Sequence, residues 1–193
     1  MSQAQIQTSS VILLAQTPVS NRYLFGAYKD NGEATSFLSL PEDHQRFVEL
    51  LTGEQTLMGR KTLEATPADF PDAGRICITH HTAKISRGAL AVESITQGIL
   101  LAKERALTMG KNAIFIVGGA SIIQQCLSRD LLDEIYLTLA YAHQKHIPHP
   151  VYLDFEFDNW KVKEDSGILI AQHSIPKNLK YRYLRLQKER RLS

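Results

Sequence analysis

The run Ala113-Ile114-Phe115-Ile116-Val117 is apolar at every position and leads directly into Gly118-Gly119. Successive side chains of a strand point to opposite faces, so a strand without a polar position must be covered on both. That is the setting of a parallel sheet carrying helices, and it predicts an α/β architecture. Further strands are expected over 11–16, 55–58, 75–79, 90–92, 134–138, 151–155, 160–164, 168–173 and 181–187. The last two flank the turn residues Pro176-Lys177-Asn178 and read as a C-terminal antiparallel hairpin. A mostly parallel central sheet with helices on both faces follows from this order.

The helices carry their own signals. Leu40-Pro41-Glu42-Asp43 opens one, since Pro suits a first turn and acids favour the positive end of the helix dipole. Phe47, Leu50 and Leu51 fall on one face, and Gly53 ends it. A brief helix is expected over 62–65. Ile99, Leu100, Ala102, Lys103, Ala106 and Leu107 give helical spacing to 96–109, which Gly110 stops. Another helix covers 121–127. By contrast, 17–38 contains Pro18, Asn21, Gly26, Asp30, Asn31 and Gly32 and shows no period. Long unpatterned stretches in compact domains are often covers over a site. With no repeat and no linker, one domain is expected over 10–190, after a flexible 1–9 and before a tail at 191–193.

Composition narrows the class. At 193 residues, with 44% hydrophobic and 22% charged, the chain can build a core. A net charge of +2 gives no reason to expect a nucleic-acid partner. Two cysteines, Cys77 and Cys126, are too few for a disulfide scaffold, and each sits in an apolar segment. The polar, uncharged N-terminus does not resemble a signal peptide, and the apolar runs are shorter than a membrane span. The expectation is a cytoplasmic chain with no membrane partner.

Several groups can carry chemistry. Gly118-Gly119, between a buried strand and a helix, would let a phosphate approach the backbone and the helix amides. The alternative is a tight turn that needs small residues. Gly59-Arg60-Lys61-Thr62 also follows a strand. Its adjacent cations could select the extra phosphate of NADPH over NADH, or form a solvated surface pair. Asp43 could face a cleft and help protonate an amidine-like ring, or simply stabilise a helix N-terminus beside Glu42. Phe47, one turn on, could line the same pocket or the core. His80 and His81 stand at a strand end and could touch a cofactor phosphate. His143, His146 and His149 recur every three residues, a spacing that could hold a metal but is equally ordinary for a polar loop; no metal is expected. The cations Lys180, Arg182, Arg185, Lys188, Arg190 and Arg191 interleave with Tyr181 and Tyr183. They could touch RNA, and the plainer reading is an edge strand protected by charge.

In order and spacing, LPEDHQRF at 40–47, LMGRKTLE at 57–64, FIVGGASII at 115–123, DEIYLT at 133–138, FDNWKV at 157–162 and the terminal YRYLRLQKE resemble the dihydrofolate reductase superfamily. The resemblance implies that fold, NADPH as cofactor and a pterin-like heterocyclic substrate reduced at a C=N bond. It implies that Asp43 is the acid that binds the ring, that Thr138 supports it, and that Leu38, Phe47 and Arg75 contact substrate. It further implies that Gly59, Arg60, Lys61, Thr62, Gly118 and Gly119 hold the cofactor, the glycine pair often through a cis peptide. Gln16, Gly26, Thr79, His80, Val117, Ala120, Ser121 and Ile122 complete the implied cofactor contacts, and 17–38 becomes the covering loop. Leu38 stands where the family usually has Trp, and Ile123 where it often has Tyr. The Pro-Gly-Arg substrate clamp is altered to Pro71-Asp72-Ala73-Gly74-Arg75, with Arg75 the candidate clamp. The chain is also similar to a second branch, the reductase domain of riboflavin biosynthesis, through Ser39-Leu40-Pro41-Glu42-Asp43 and the Gly118–Ile123 helix start. That branch's substrate-phosphate segment is not found after Thr62. It would imply a possible homodimer, and a catalytically silent nucleotide-binding homologue is the remaining alternative.

Overall fold

The computed structural model describes residues 5–17, 21–80, 85, 88–142 and 147–189. The elements run β1 (Gln7–Gln16), β2 (Arg22–Tyr28), β3 (Ala34–Thr35), α1 (Pro41–Leu51), β4 (Gln55–Gly59), α2 (Arg60–Ala65), β5 (Gly74–Ile78) and β6 (Leu90–Val92). They continue α3 (Ile95–Thr108), β7 (Ala113–Gly118), α4 (Ala120–Ser128), β8 (Glu134–Ala140), β9 (Pro150–Asp154), β10 (Trp160–Asp165), β11 (Leu169–Ile170) and β12 (Lys180–Lys188). The architecture is the expected mixed α/β one, with parallel central strands and antiparallel strands added. Among the described residues no helix is long and apolar enough to cross a membrane.

The expected single domain divides into two compact units, Met1–Ser10 with Phe47–Asp133 and Val11–Arg46 with Glu134–Ser193. In the first unit all strand pairs are parallel. Gln7–Ser10 of β1 lie beside β7, β7 pairs with β4, β4 with β5, and β5 with β6. The apolar run on β7 is covered as its sequence requires: Ile114 and Ile116 are wholly buried and Phe115 nearly so. Because β1 begins at Gln7, part of the supposedly flexible 1–9 segment is strand, with Thr8 and Ser9 buried.

Helix α3 contacts β4 and β7, but not with the face its large apolar residues suggest. Ile95, Gly98, Ala102 and Ala106 are buried, whereas Leu100 and Leu107 are 65% and 66% exposed. Small residues win because the helix comes very close to β4. A Cβ built on Gly98 would lie 2.5 Å from Leu57 Cδ1 and 3.3 Å from Val92 Cγ2. Leu57 is wholly buried and has little room to retreat. Gly98→Ala is therefore expected to destabilise the protein by roughly 1 kcal/mol net. Overpacking, at about 1–3 kcal/mol, outweighs about 1 kcal/mol of improved helix propensity. The midpoint of urea unfolding tests this; a raised midpoint would show that Leu57 yields freely.

In the second unit the sheet is antiparallel. β12 lies between β8 and β10 and also pairs with β11, completing the expected C-terminal hairpin. β12 is thus not an edge strand, which corrects the sequence reading. Its two arginines are paired with acids: Arg182 with Asp165, and Arg185 with Glu134 and Glu164. The stretch 17–38 is also not an irregular cover throughout. It contains β2, which pairs with β1, β3 and β9, with a register shift at Leu24/Gly26. Ala15, Leu24, Phe37, Leu38, Leu40, Ala140, Leu179 and Tyr181 belong to one buried hydrophobic cluster of this unit.

Candidate active site

In the first unit, two glycine turns end adjacent parallel strands. Met58 on β4 is in register with Gly118 on β7, and each strand feeds a helix whose N-cap is a glycine. Neither cap has a side chain to satisfy the first-turn amides, so the N-terminus of α4 presents donors of the kind that bind anions. A Cβ on Gly119 would crowd Thr62 Oγ1 at 3.3 Å, and one on Gly59 would meet Ile122 at 3.4 Å. The Gly118–Gly119 peptide is cis, and Gly118 has φ +129°, a conformation suited to glycine.

The cations beside these turns are exposed. Arg60 donates to Glu64 at 2.6 Å, an i,i+4 pair with side chains 45% and 56% exposed. Lys61 is exposed on the same short helix. Thr79 is buried, its amide donating to Val92 O, and His80 is exposed. Val117, Ala120 and Ser121 are partly or fully open around the turn, as is Ile122 in part. In the second unit, Gln16 is exposed at the end of β1, and Gly26 sits at the β2 bulge.

Arg75 occupies a closed polar cluster in the first unit. Its Nε donates to both Asp72 oxygens, at 3.0 and 3.1 Å, and its Nη2 donates to Phe70 O at 3.0 Å. Thr56 Oγ1 donates to Asp72 Oδ2 at 2.6 Å. The Arg75 and Asp72 side chains are only 5% and 4% exposed. Arg75 Nη1 is buried with no hydrogen-bond partner among the described residues. Phe47 is half-buried, its ring 5.6 Å from that of Phe70, which in turn lies under the Arg75 guanidinium.

In the second unit, Asp43 is the third residue of α1, its amide donating to Leu40 O. Thr138 on β8, wholly buried, donates its hydroxyl to Asp43 Oδ1 at 2.5 Å. Burial pushes the Asp43 carboxyl above its ordinary range, against the opposing pull of the Thr138 hydrogen bond and the charges of Arg46 and His44. A partly desolvated acid with a fixed donor is suited to binding a polar ring edge. Leu38 packs in the core of this unit, 6% exposed. Glu42, the other acid of the first turn, accepts from the Gln172 amide instead.

His149 pairs with Asp30 on the surface; His81, His143 and His146 lie outside the described residues. No metal-holding group of His, Cys, Asp or Glu occurs among the described residues. Both cysteines are buried and free, and burial raises their thiols, that of Cys126 to about 11. The sequence reading passed over Arg46, Thr56 and Asp72. Arg46 and Asp72 each stand three residues from an opposite charge, a spacing that was open to notice.

The family model described as dihydrofolate reductase matches residues 32–187. Dihydrofolate reductase HdrB of Haloferax volcanii is 34% identical over 94 residues, covering 47% of this chain and 48% of that protein. The dihydrofolate reductase of Staphylococcus aureus (strain Mu50 / ATCC 700699) is 25% identical over 138 residues, 71% of this chain and 79% of that one. That of Bacillus subtilis (strain 168) is 25% identical over 126 residues, with 64% and 67% covered. The chain thus spans about half the length of the Haloferax relative and more of the two bacterial ones.

Proposed function

We propose that this chain, which belongs to the dihydrofolate reductase family, is an NADPH-dependent reductase of a C=N bond in a pterin-like ring, with dihydrofolate as its substrate. The observation that carries this reading is the Asp43–Thr138 pair. Thr138 takes Asp43 Oδ1, leaving Oδ2 to accept an N–H from an amidine-like ring edge. That hydrogen bond favours the protonated ring, whose carbon is then a better hydride acceptor. The names of the relatives favour this branch over the riboflavin-type one.

The first unit fits a phosphate-bearing dinucleotide, because glycines leave the backbone open where a Cβ would crowd Thr62. The backbone of Gly59, Gly118 and Gly119, the amides opening α4 and the Thr62 hydroxyl would hold its phosphates. Arg60 and Lys61 would meet the additional phosphate of NADPH. When bound, the cofactor supplies the hydride; the chain supplies position, charge and the hydrogen bond at Asp43.

The test follows NADPH absorbance with purified protein and dihydrofolate, against a control without substrate. Oxidation that depends on dihydrofolate is expected. No oxidation, with NADPH binding confirmed separately, would remove dihydrofolate as the substrate. Arg60→Ala is expected to weaken NADPH binding about tenfold and NADH binding little, the size of one charge-assisted hydrogen bond. The exposed pair with Glu64 is worth too little to hold Arg60 back. Equal losses for both cofactors would show that Arg60 does not read the extra phosphate.

A further inference from the structure

We propose that Arg46 is a positioning residue for Asp43: its guanidinium, seated on the aromatic face of β8 and β12, turns the Thr138 hydroxyl toward the Asp43 carboxylate and holds that carboxylate ionised. The inference deepens the reading above and rests on Asp43 being the acid that meets the ring.

The placement follows from α1. Asp43 and Arg46 are three residues apart and share one face of the helix. Between them on β8 stands Thr138. Arg46 Nη1 donates to Thr138 Oγ1 over a long 3.5 Å, while Thr138 Oγ1 donates to Asp43 Oδ1 at 2.5 Å. A hydroxyl has one proton to give, and a guanidinium can only donate. With Arg46 directed at its oxygen, the Thr138 proton is committed to Asp43. A donor fixed in that sense favours the carboxylate over the carboxylic acid.

The guanidinium is itself seated. Its carbon lies 4.3 Å from the Tyr183 ring centroid and 5.9 Å from that of Tyr136. Tyr183 is directly opposite Thr138 in the β8–β12 register, and Arg185 is opposite Tyr136. The charges around this face are accounted for. On β12, Arg185 is bound to Glu134 on β8 and to Glu164 on β10, each at 2.8 Å. The groups whose charge reaches Arg46 are Tyr183, Asp43, Tyr136 and Glu164, while His44 on the same helix acts on Asp43 and Tyr181 on Tyr183. Burial holds both the Tyr136 and Tyr183 phenols above their ordinary range, so both rings face Arg46 as neutral aromatics.

A merely structural Arg46 would tie α1 to the sheet without altering the titration of Asp43. The two roles separate in a direct titration of Asp43, followed by NMR of protein carrying carboxyl-labelled aspartate and assigned with Asp43→Asn. In Arg46→Gln the Asp43 midpoint is expected to rise by about one pH unit or more, the usual effect of removing a close opposite charge. Arg46→Lys, which keeps the charge, is expected to restore most of the difference. An unmoved midpoint in Arg46→Gln overturns the proposal. If that variant does not fold, Tyr183→Leu removes the seat and keeps the charge; the midpoint is expected to rise there too, and an unmoved one overturns the proposal. The titration needs no turnover. A moving midpoint in a chain that does not oxidise NADPH would therefore count against the proposed reaction alone.

Discussion

Asp43→Asn is expected to lower turnover of dihydrofolate by about a hundredfold or more at neutral pH, the scale of a lost proton-transfer partner, while making the folded chain more stable. NADPH binding is expected to stay nearly intact, because the glycine turns that would hold it lie in the other unit. In acid the loss shrinks, since solvent can protonate the ring. The stability gain follows from the direction in which burial moves the carboxyl. Its folded pKa lies above its unfolded one, so the contribution it makes is fully present below the unfolded pKa and is lost as pH rises through the folded pKa. At neutral pH the native chain therefore carries a desolvated charge that Asn removes. A gain of roughly 0.5–2 kcal/mol is the usual scale where a site trades stability for activity. Kinetics between pH 5 and 8, with urea unfolding at neutral and acid pH, check both halves. Unchanged turnover would remove Asp43 from the reaction. A stability gap that widened in acid would reverse the sign argued for its burial.

The second large effect is on the fold. Arg75→Ala leaves Asp72 buried with Thr56 as its one side-chain donor among the described residues. Removing one partner of a buried pair costs about 3–5 kcal/mol, because the remaining charge has lost its counterion. That is a large part of the total stability of about 5–15 kcal/mol typical of a domain. The double variant Asp72→Leu with Arg75→Met is expected to lose less than Arg75→Ala alone, since it removes both charges. Urea unfolding of the three proteins measures this. A folded Arg75→Ala of native stability, with KM for dihydrofolate raised instead, would assign Arg75 to the substrate, as the altered Pro-Gly-Arg motif implied.

Where the sequence was legible, one physical signal dominated. The unbroken apolar run of β7 admits only a doubly covered strand, and Gly118-Gly119 marks its exit. Asp43 was legible because a helix start, an acid and an aromatic one turn later coincide with the family pattern. β2 was not legible: Gly26 and the flanking polar residues obscure it, and it is stabilised by pairing with β9, far away in sequence. The exposed leucines of α3 misled for a related reason. Burial there is decided by how closely a helix can approach β4, which favours Gly98 and Ala102 over larger residues. The arginines of β12 looked like edge protection because Glu134, Glu164 and Asp165, which pair with them, are distant in sequence. The spacing of Arg46 from Asp43 was legible, but its seat was not, because nothing in the local sequence reveals that Tyr183 and Thr138 will stand opposite each other.

The chain passes between its two units at Ser10/Val11, Arg46/Phe47 and Asp133/Glu134, and so neither unit is a continuous stretch. During synthesis β1 is made long before β7, yet Thr8 waits for Ile114. The strand's apolar residues Val11, Ile12, Leu14 and Ala15, all buried in the folded chain, are likewise made before β7, and Ala15 packs in part against Ala140, Leu179 and Tyr181, which come later still. Long-range pairing of this kind slows folding and lengthens the exposure of sticky intermediates. The most aggregation-sensitive stage for this chain is expected to be on the ribosome, before residue 113 has been added, and a nascent-chain stall upstream of that point would be the state most dependent on a chaperone.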